Sequence, residues 1–203
     1  MHNRLLAWST VATLGLALPA GAWAVVGLGL KSWGEPFITH DQVLQCPHEA
    51  GDGKYMDSFS NGQKRVRGQC SAGVAMGNWD QWYANGQKQW TCDLDTGELN
   101  GYFKSWWEGG ERAMGGYFEM GLEQGTFKYW HRNGEYHGKG EFVDGEREGC
   151  WVTWHDNGQK ATKGAYVNGE KVGRWFEWDA HGNRGKNHYG GSYDSGRCWF
   201  PLF

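Results

Sequence analysis

Histidine, tryptophan, cysteine and glutamate carry most of the chemistry this chain could perform, and each is spaced in a way that suggests a use. There are eight histidines. His131 and His155 lie 24 residues apart with His137 near the first, a grouping of imidazoles that could ligate a transition metal. Among fourteen tryptophans is a run at Trp82, Trp106, Trp130, Trp154 and Trp178; an exposed ladder of this kind would cradle a quaternary ammonium group or stack on sugar rings. Five cysteines are candidate ligands, nucleophiles or disulfide partners. Glutamates recur at Glu98, Glu146 and Glu170, and paired carboxylates are the usual means of acid–base catalysis.

The spacing itself argues against most of this chemistry. Glycine recurs every 24 residues at Gly62, Gly86, Gly110, Gly134, Gly158 and Gly182. Further lanes hold the same period: Gly73 to Gly169, Gly77 to Gly173, and the aromatic series Trp79, Phe103, Phe127, Trp151, Trp175. Phase-locked lanes mark a stacked repeat array. An active site occurs once, so carboxylates that recur in every unit are not a catalytic pair. Same-phase histidines in units of two strands would stand roughly 9.6 Å apart, too far to share an ion. No Gly-x-Ser-x-Gly elbow is present, and Gly109-Gly110 is a degenerate turn and not a phosphate loop. The expectation is a protein that is not an enzyme and uses no metal or cofactor.

The elements that position these residues follow from two turn signals per unit. The first is Asn61-Gly62 and its equivalents; the second includes Asp144-Gly145, Asn168-Gly169 and the looser Thr96-Gly97. Both suit the left-handed conformations of a two-residue hairpin turn. The segments between them are too short for helices. The predicted fold is all-β: an elongated single-layer array of stacked antiparallel β-hairpins, with its core in the rings of an aliphatic-poor chain that is 16% aromatic. A bulge between Trp175 and Trp178 would bring both aromatic lanes to one face. Trp82, Trp106, Trp130, Trp154 and Trp178 are then core, and the off-lane rings Trp90, Trp107, Tyr129 and Tyr136 are exposed and available for binding. Gly68, Gly116, Gly140 and Gly164 leave room for the rings.

The ends of the chain differ in kind. Leu5 to Leu30 carries no charge and follows Arg4. Pro19 and the small-x-small site Ala22-Trp23-Ala24 make residues 1–24 a cleavable export signal; uncleaved, the stretch to residue 30 would be a membrane anchor. Residues 25–53 form an N-terminal cap segment, 54–186 the array, and 187–203 a C-terminal cap or tail. Either reading places the array outside the cytoplasm, in the periplasm, at the cell surface or secreted. Cysteines in an exported chain form disulfides. Cys46 precedes the array and can fold onto its first strands, which makes Cys46 with Cys70 the first pairing and Cys46 with Cys92 the second. Cys150 with Cys198 requires the tail to fold back, and the odd count leaves one thiol over.

Units such as Trp154-His155-Asp156-Asn157-Gly158-Gln159-Lys160, followed by Gly164 through Trp175 and Trp178, resemble the bacterial variant of the MORN repeat. The resemblance spans about residues 54–186, is closest from 125 to 178, and departs where Ser58 stands in the Trp82 lane. It implies stacked hairpins and a binding or scaffolding role. Proteins of this variant are often labelled antitoxins, and neutralising a partner toxin is one alternative. Another protein is the expected partner, with cell-wall glycan, bound through exposed aromatics, the second choice. A formal charge of -3 disfavours nucleic acid and gives only weak support to a lipid surface.

Overall fold

The computed structural model describes Cys46, residues 51–185, the backbone of residues 188–190 and Cys198. The expected export signal lies outside the described residues. The described chain forms one open sheet of twelve antiparallel strands in sequence order: β1 (Gly53–Ser58), β2 (Lys64–Ser71), β3 (Val74–Trp82), β4 (Lys88–Asp95), β5 (Glu98–Trp106), β6 (Arg112–Glu119), β7 (Leu122–Trp130), β8 (Tyr136–Val143), β9 (Glu146–Trp154), β10 (Lys160–Val167), β11 (Glu170–Glu177) and β12 (His188–Gly190). Each 24-residue unit therefore supplies two strands, and the array is the expected hairpin ribbon.

The two turns of a unit differ. Ala72-Gly73, Thr96-Gly97, Met120-Gly121, Asp144-Gly145 and Asn168-Gly169 have positive φ at both residues, which makes them two-residue type I′ turns. At the Asn-Gly sites only the glycine is left-handed, contrary to the two-residue turn expected there. Gly62 N–H donates to Phe59 O at 2.9 Å and Phe59 N–H to Gln63 O at 2.8 Å. The loop is thus three residues long, a right-handed turn closed by glycine. The asparagine acts through its side chain instead. Asn61 Oδ1 accepts from Gln63 N–H at 3.0 Å, while its Nδ2 donates to Ala84 O of the next unit at 2.9 Å. Asn85, Asn133 and Asn157 make the same two bonds. Gly109 occupies the remaining position in this ladder. The opposite edge is joined by backbone bonds such as Gly97 N–H to Ala75 O at 2.9 Å and Gly121 N–H to Leu99 O at 2.8 Å.

Trp79, Phe103, Phe127, Trp151 and Trp175 are buried in one row on what we call the inner face. A ring can lie flat on a sheet only where the residue beneath has no side chain. A Cβ placed on Gly68, Gly116, Gly140 or Gly164 would fall 2.0 to 2.3 Å from the ring of Trp79, Phe127, Trp151 or Trp175. Phe118, Phe142 and Tyr166 fit edge-on between these rings, with centroids 4.9 to 5.9 Å apart. Edge-to-face pairs add about 0.5–1.5 kcal/mol each beyond the area they bury. The chain reaches this geometry through a bulge: Gly115 and Tyr117 of β6 pair with Lys128 and Gln124 of β7, so β7 carries two extra residues opposite Gly116.

Cys92 replaces glycine in that lane, and the backbone answers. Cys92 pairs directly with Phe103 and the bulge moves to Asp93, while Gly101 takes φ +136 where Gly77, Gly125, Gly149 and Gly173 lie between +63 and +71. Burial, with the charges of Asp93 and Asp80 behind it, pushes the Cys92 thiol far above its usual range. The disulfides are Cys46–Cys70 and Cys150–Cys198, and Cys92 is the thiol left over. The alternative Cys46–Cys92 pairing does not form.

Candidate functional site

The structure reverses the expected roles of the aromatic lanes. Trp82, Trp106, Trp130, Trp154 and Trp178 are half-buried and are not the core. A bulge does lie beside this lane, but its extra residue is on the neighbouring strand. Gln81 and Trp82 pair with Trp90 and Lys88, and Tyr129 and Trp130 with Gly138 and Tyr136. The tryptophan's own strand keeps its alternation, so a ring three residues after Trp79 faces the opposite, outer side. Trp90, Trp107 and Tyr129, expected to be exposed, are buried. Trp90 lies opposite Ser105, and Tyr129 between Met114 and Gly138, so each large ring fills the space beside a smaller or flexible residue on the inner face. Trp107 is held in its turn by donating Nε1–H to Trp130 O at 3.1 Å. Tyr136 alone of the four is exposed, stacked on Trp130 at 5.5 Å.

The residue after Trp82, Trp106, Trp130 and Trp154 is in each case a rung between units. Tyr83 Oη donates to Trp106 O at 2.9 Å, and Trp107 makes the bond just described. His131 Nε2 and His155 Nε2 lie 2.8 Å from Trp154 O and Trp178 O, which requires the proton on Nε2, since a carbonyl only accepts. The histidines that suggested a metal site thus take up the role of the preceding tyrosine and tryptophan. His137 Nδ1 lies 3.3 Å from His131 Nε2, and burial, then the neighbouring His131 charge, holds the His137 pKa below its ordinary value. Among the described residues no three metal-ligating side chains cluster.

Charge is distributed unevenly along the outer face. Over β2–β4, Asp80 is buried against Arg67 and Lys88, with Lys88 Nζ at 2.6 Å from Oδ1. Burial raises the Asp80 pKa, but hydrogen bonds from Lys88, Thr91 and Arg67 outweigh it and leave the carboxyl below its ordinary value. Lys64, Arg67 and Lys88 lie over the Trp82 ring at 5.6 to 5.8 Å. One and two units further on, Asp80 is replaced by Lys104 and Lys128, and the carboxylate is lost. There, across β5–β8, an open groove of about 660 Å³ is lined by Lys104, Arg112, Lys128 and Lys139, with Tyr102, Tyr117 and the edge of Trp130 between them and Gly115 in its floor. No carboxylate lines it. Tyr102 is 64% exposed and is braced edge-on by Tyr117 at 5.3 Å. Of these groove residues the sequence points only to Trp130, and to it as core. The available signal was Gly115 in a lane otherwise filled by Arg67, Thr91, Lys139 and Lys163.

Compared with models of known families and with curated proteins, the chain matches none.

Proposed function

We propose that this chain is an exported binding scaffold of the cell envelope, built on repeats similar to the bacterial MORN variant, that engages its partner through the outer face and performs no catalysis. One observation carries the reading. The recurring side chains are engaged within the sheet: the Trp79-type rings on glycine, the asparagines and the Tyr83-to-His155 rungs on the next unit. The outer face over β5–β8, in contrast, carries the exposed ring of Tyr102 and the side chains of Lys104, Lys128 and Lys139, none of which is in an ion pair among the described residues. Two disulfides in the described residues agree with an oxidising compartment.

A protein partner would be tested by placing a photo-crosslinking residue at Tyr102 on the outer face and, separately, at Glu119 at the β6–β7 edge, and exposing both to envelope extract. One defined adduct from position 102 and none from 119 supports the reading. Absence of any adduct from either position counts against it. The groove's cations and rings favour a glycan as the second reading.

A further inference from the structure

We propose that the groove across β5–β8 is a binding site for an anionic polysaccharide, with a pyranose ring on Tyr102 and the polymer's acidic groups on Lys104, Lys128 and Lys139. This rests on the outer face being the binding face.

The first argument is charge. The chain as a whole is acidic, at -3, yet the groove gathers four cations and no carboxylate. None of the four is in an ion pair among the described residues, whereas Arg67 and Lys88 on the same face are neutralised by Asp80. Cations left without a counter-charge over a concave surface attract an anion from solution. Lys104 and Lys128 stand on alternate strands, roughly 9.6 Å apart, with Lys139 one strand further. Such a line suits charges spaced along a polymer. Lysine is a point charge on a flexible stem, and it accepts carboxylate or sulfate without the bidentate geometry that arginine imposes.

The second argument is shape. Gly115 is not required by the sheet: its φ is not left-handed, and a Cβ built there would have its nearest neighbours, Phe103 O and Trp130 Cζ3, at 3.9 Å. That separates it from Gly116 next to it, where a Cβ would strike Phe127 at 2.3 Å. The equivalent positions carry Arg67, Thr91, Lys139 and Lys163. The missing side chain serves no packing need and instead deepens the groove. The third argument is the ring. Tyr102 offers an exposed face held at a fixed angle by Tyr117, at 80°, and a flat ring next to cations fits the apolar face of a charged sugar. A simple phosphate polymer would have no use for it.

The test is binding of the purified full chain to alginate, heparin, neutral dextran and a single-stranded oligothymidylate, followed by calorimetry at two salt concentrations. The expected result is binding to alginate or heparin, which distinguishes carboxylate from sulfate, with at least tenfold weaker binding to dextran and oligothymidylate. Gly115→Thr, which fills the floor without changing charge, and Tyr102→Ala, which removes an exposed ring, should each weaken binding about tenfold with the far-UV spectrum unchanged. Lys104→Gln with Lys128→Gln should weaken it further and flatten the salt dependence. Oligothymidylate binding as well as alginate, or full binding by both Gly115→Thr and Tyr102→Ala, would show mere surface charge and overturn the proposal. So would binding to none of the polymers, while an adduct at position 102 in the crosslinking experiment would leave the scaffold reading standing.

Discussion

Replacing Cys92 and Phe103 with glycine and tryptophan, the pair found in three other units, tests whether ring and glycine form a single packing unit. A Cβ on Gly68, Gly140 or Gly164 would lie 2.0 to 2.1 Å from its tryptophan, where ordinary contact begins at 3.4 Å. Cys92 and Phe103 break this pattern on both sides at once, and both are fully buried. Phe103→Trp alone drives an indole into the Cβ and Sγ of Cys92, and overpacking of this kind costs about 2–3 kcal/mol. Cys92→Gly alone empties two heavy-atom positions in the core and loosens the unfolded backbone, for about 1–2 kcal/mol. Independent effects would therefore total about 3–5 kcal/mol.

The double variant recreates the Gly140–Trp151 arrangement and lets the bulge return from Asp93 to position 92. Its loss should stay within about 1 kcal/mol of the parent, a coupling of about 2–4 kcal/mol between residues in contact. Urea unfolding followed by far-UV circular dichroism, with both disulfides oxidised, measures it as a midpoint shift at constant slope. If the two single losses simply add to within about 0.5 kcal/mol, the ring does not depend on the glycine and the account of the inner face is wrong.

Four smaller perturbations test other parts of the structure. Thr96 is a β-branched residue at φ +48, so Thr96→Asn, the residue at the equivalent position 168, should stabilise by about 1 kcal/mol in thermal unfolding. Gly109→Asn should restore the missing rung of the asparagine ladder and add about 0.5–1.5 kcal/mol, because only the end of the Glu111 side chain must move to admit it. Asp80, held below its ordinary pKa, contributes stability that is complete above the unfolded carboxylate range and is lost as pH falls through its folded value. Asp80→Asn should thus cost about 1 kcal/mol at neutral pH, given its half-exposed partners, and the gap to the parent should narrow as pH falls below the unfolded carboxylate range. Replacing Cys46 and Cys70 by alanine opens a loop with a sequence separation of 24 and should cost about 3 kcal/mol, read from the urea midpoint with and without reductant.

The 24-residue period made the strands, their order and the edge glycines legible, because every hairpin in a stacked array meets the same neighbours. Which rings are buried was not legible from that period. Whether Trp82 joins Trp79 on one face depends on which strand holds the extra residue of a bulge, and that is a property of the pairing with β4, not of the segment containing both tryptophans. Trp90 and Tyr129 were misleading for a related reason. On the inner face, volume is exchanged between paired strands: Trp90 beside Ser105, and Tyr129 beside Gly138. A large residue can then occupy either lane, and a lane can look irregular while the packing stays filled.

The outer face turns that reasoning around. Gly115 is also a break in a lane, but Lys104 and Lys128 beside it do not fill the gap, and a Cβ there would be unobstructed. An irregularity matched by a neighbour belongs to the core, as with Trp90 and Ser105. One that no neighbour matches, in a groove lined by four cations and no carboxylate, leaves space for a molecule from outside the chain. The informative reading of such a repeat therefore compares each departure from the period with its cross-strand partner, and at Gly115 that comparison leads to the groove.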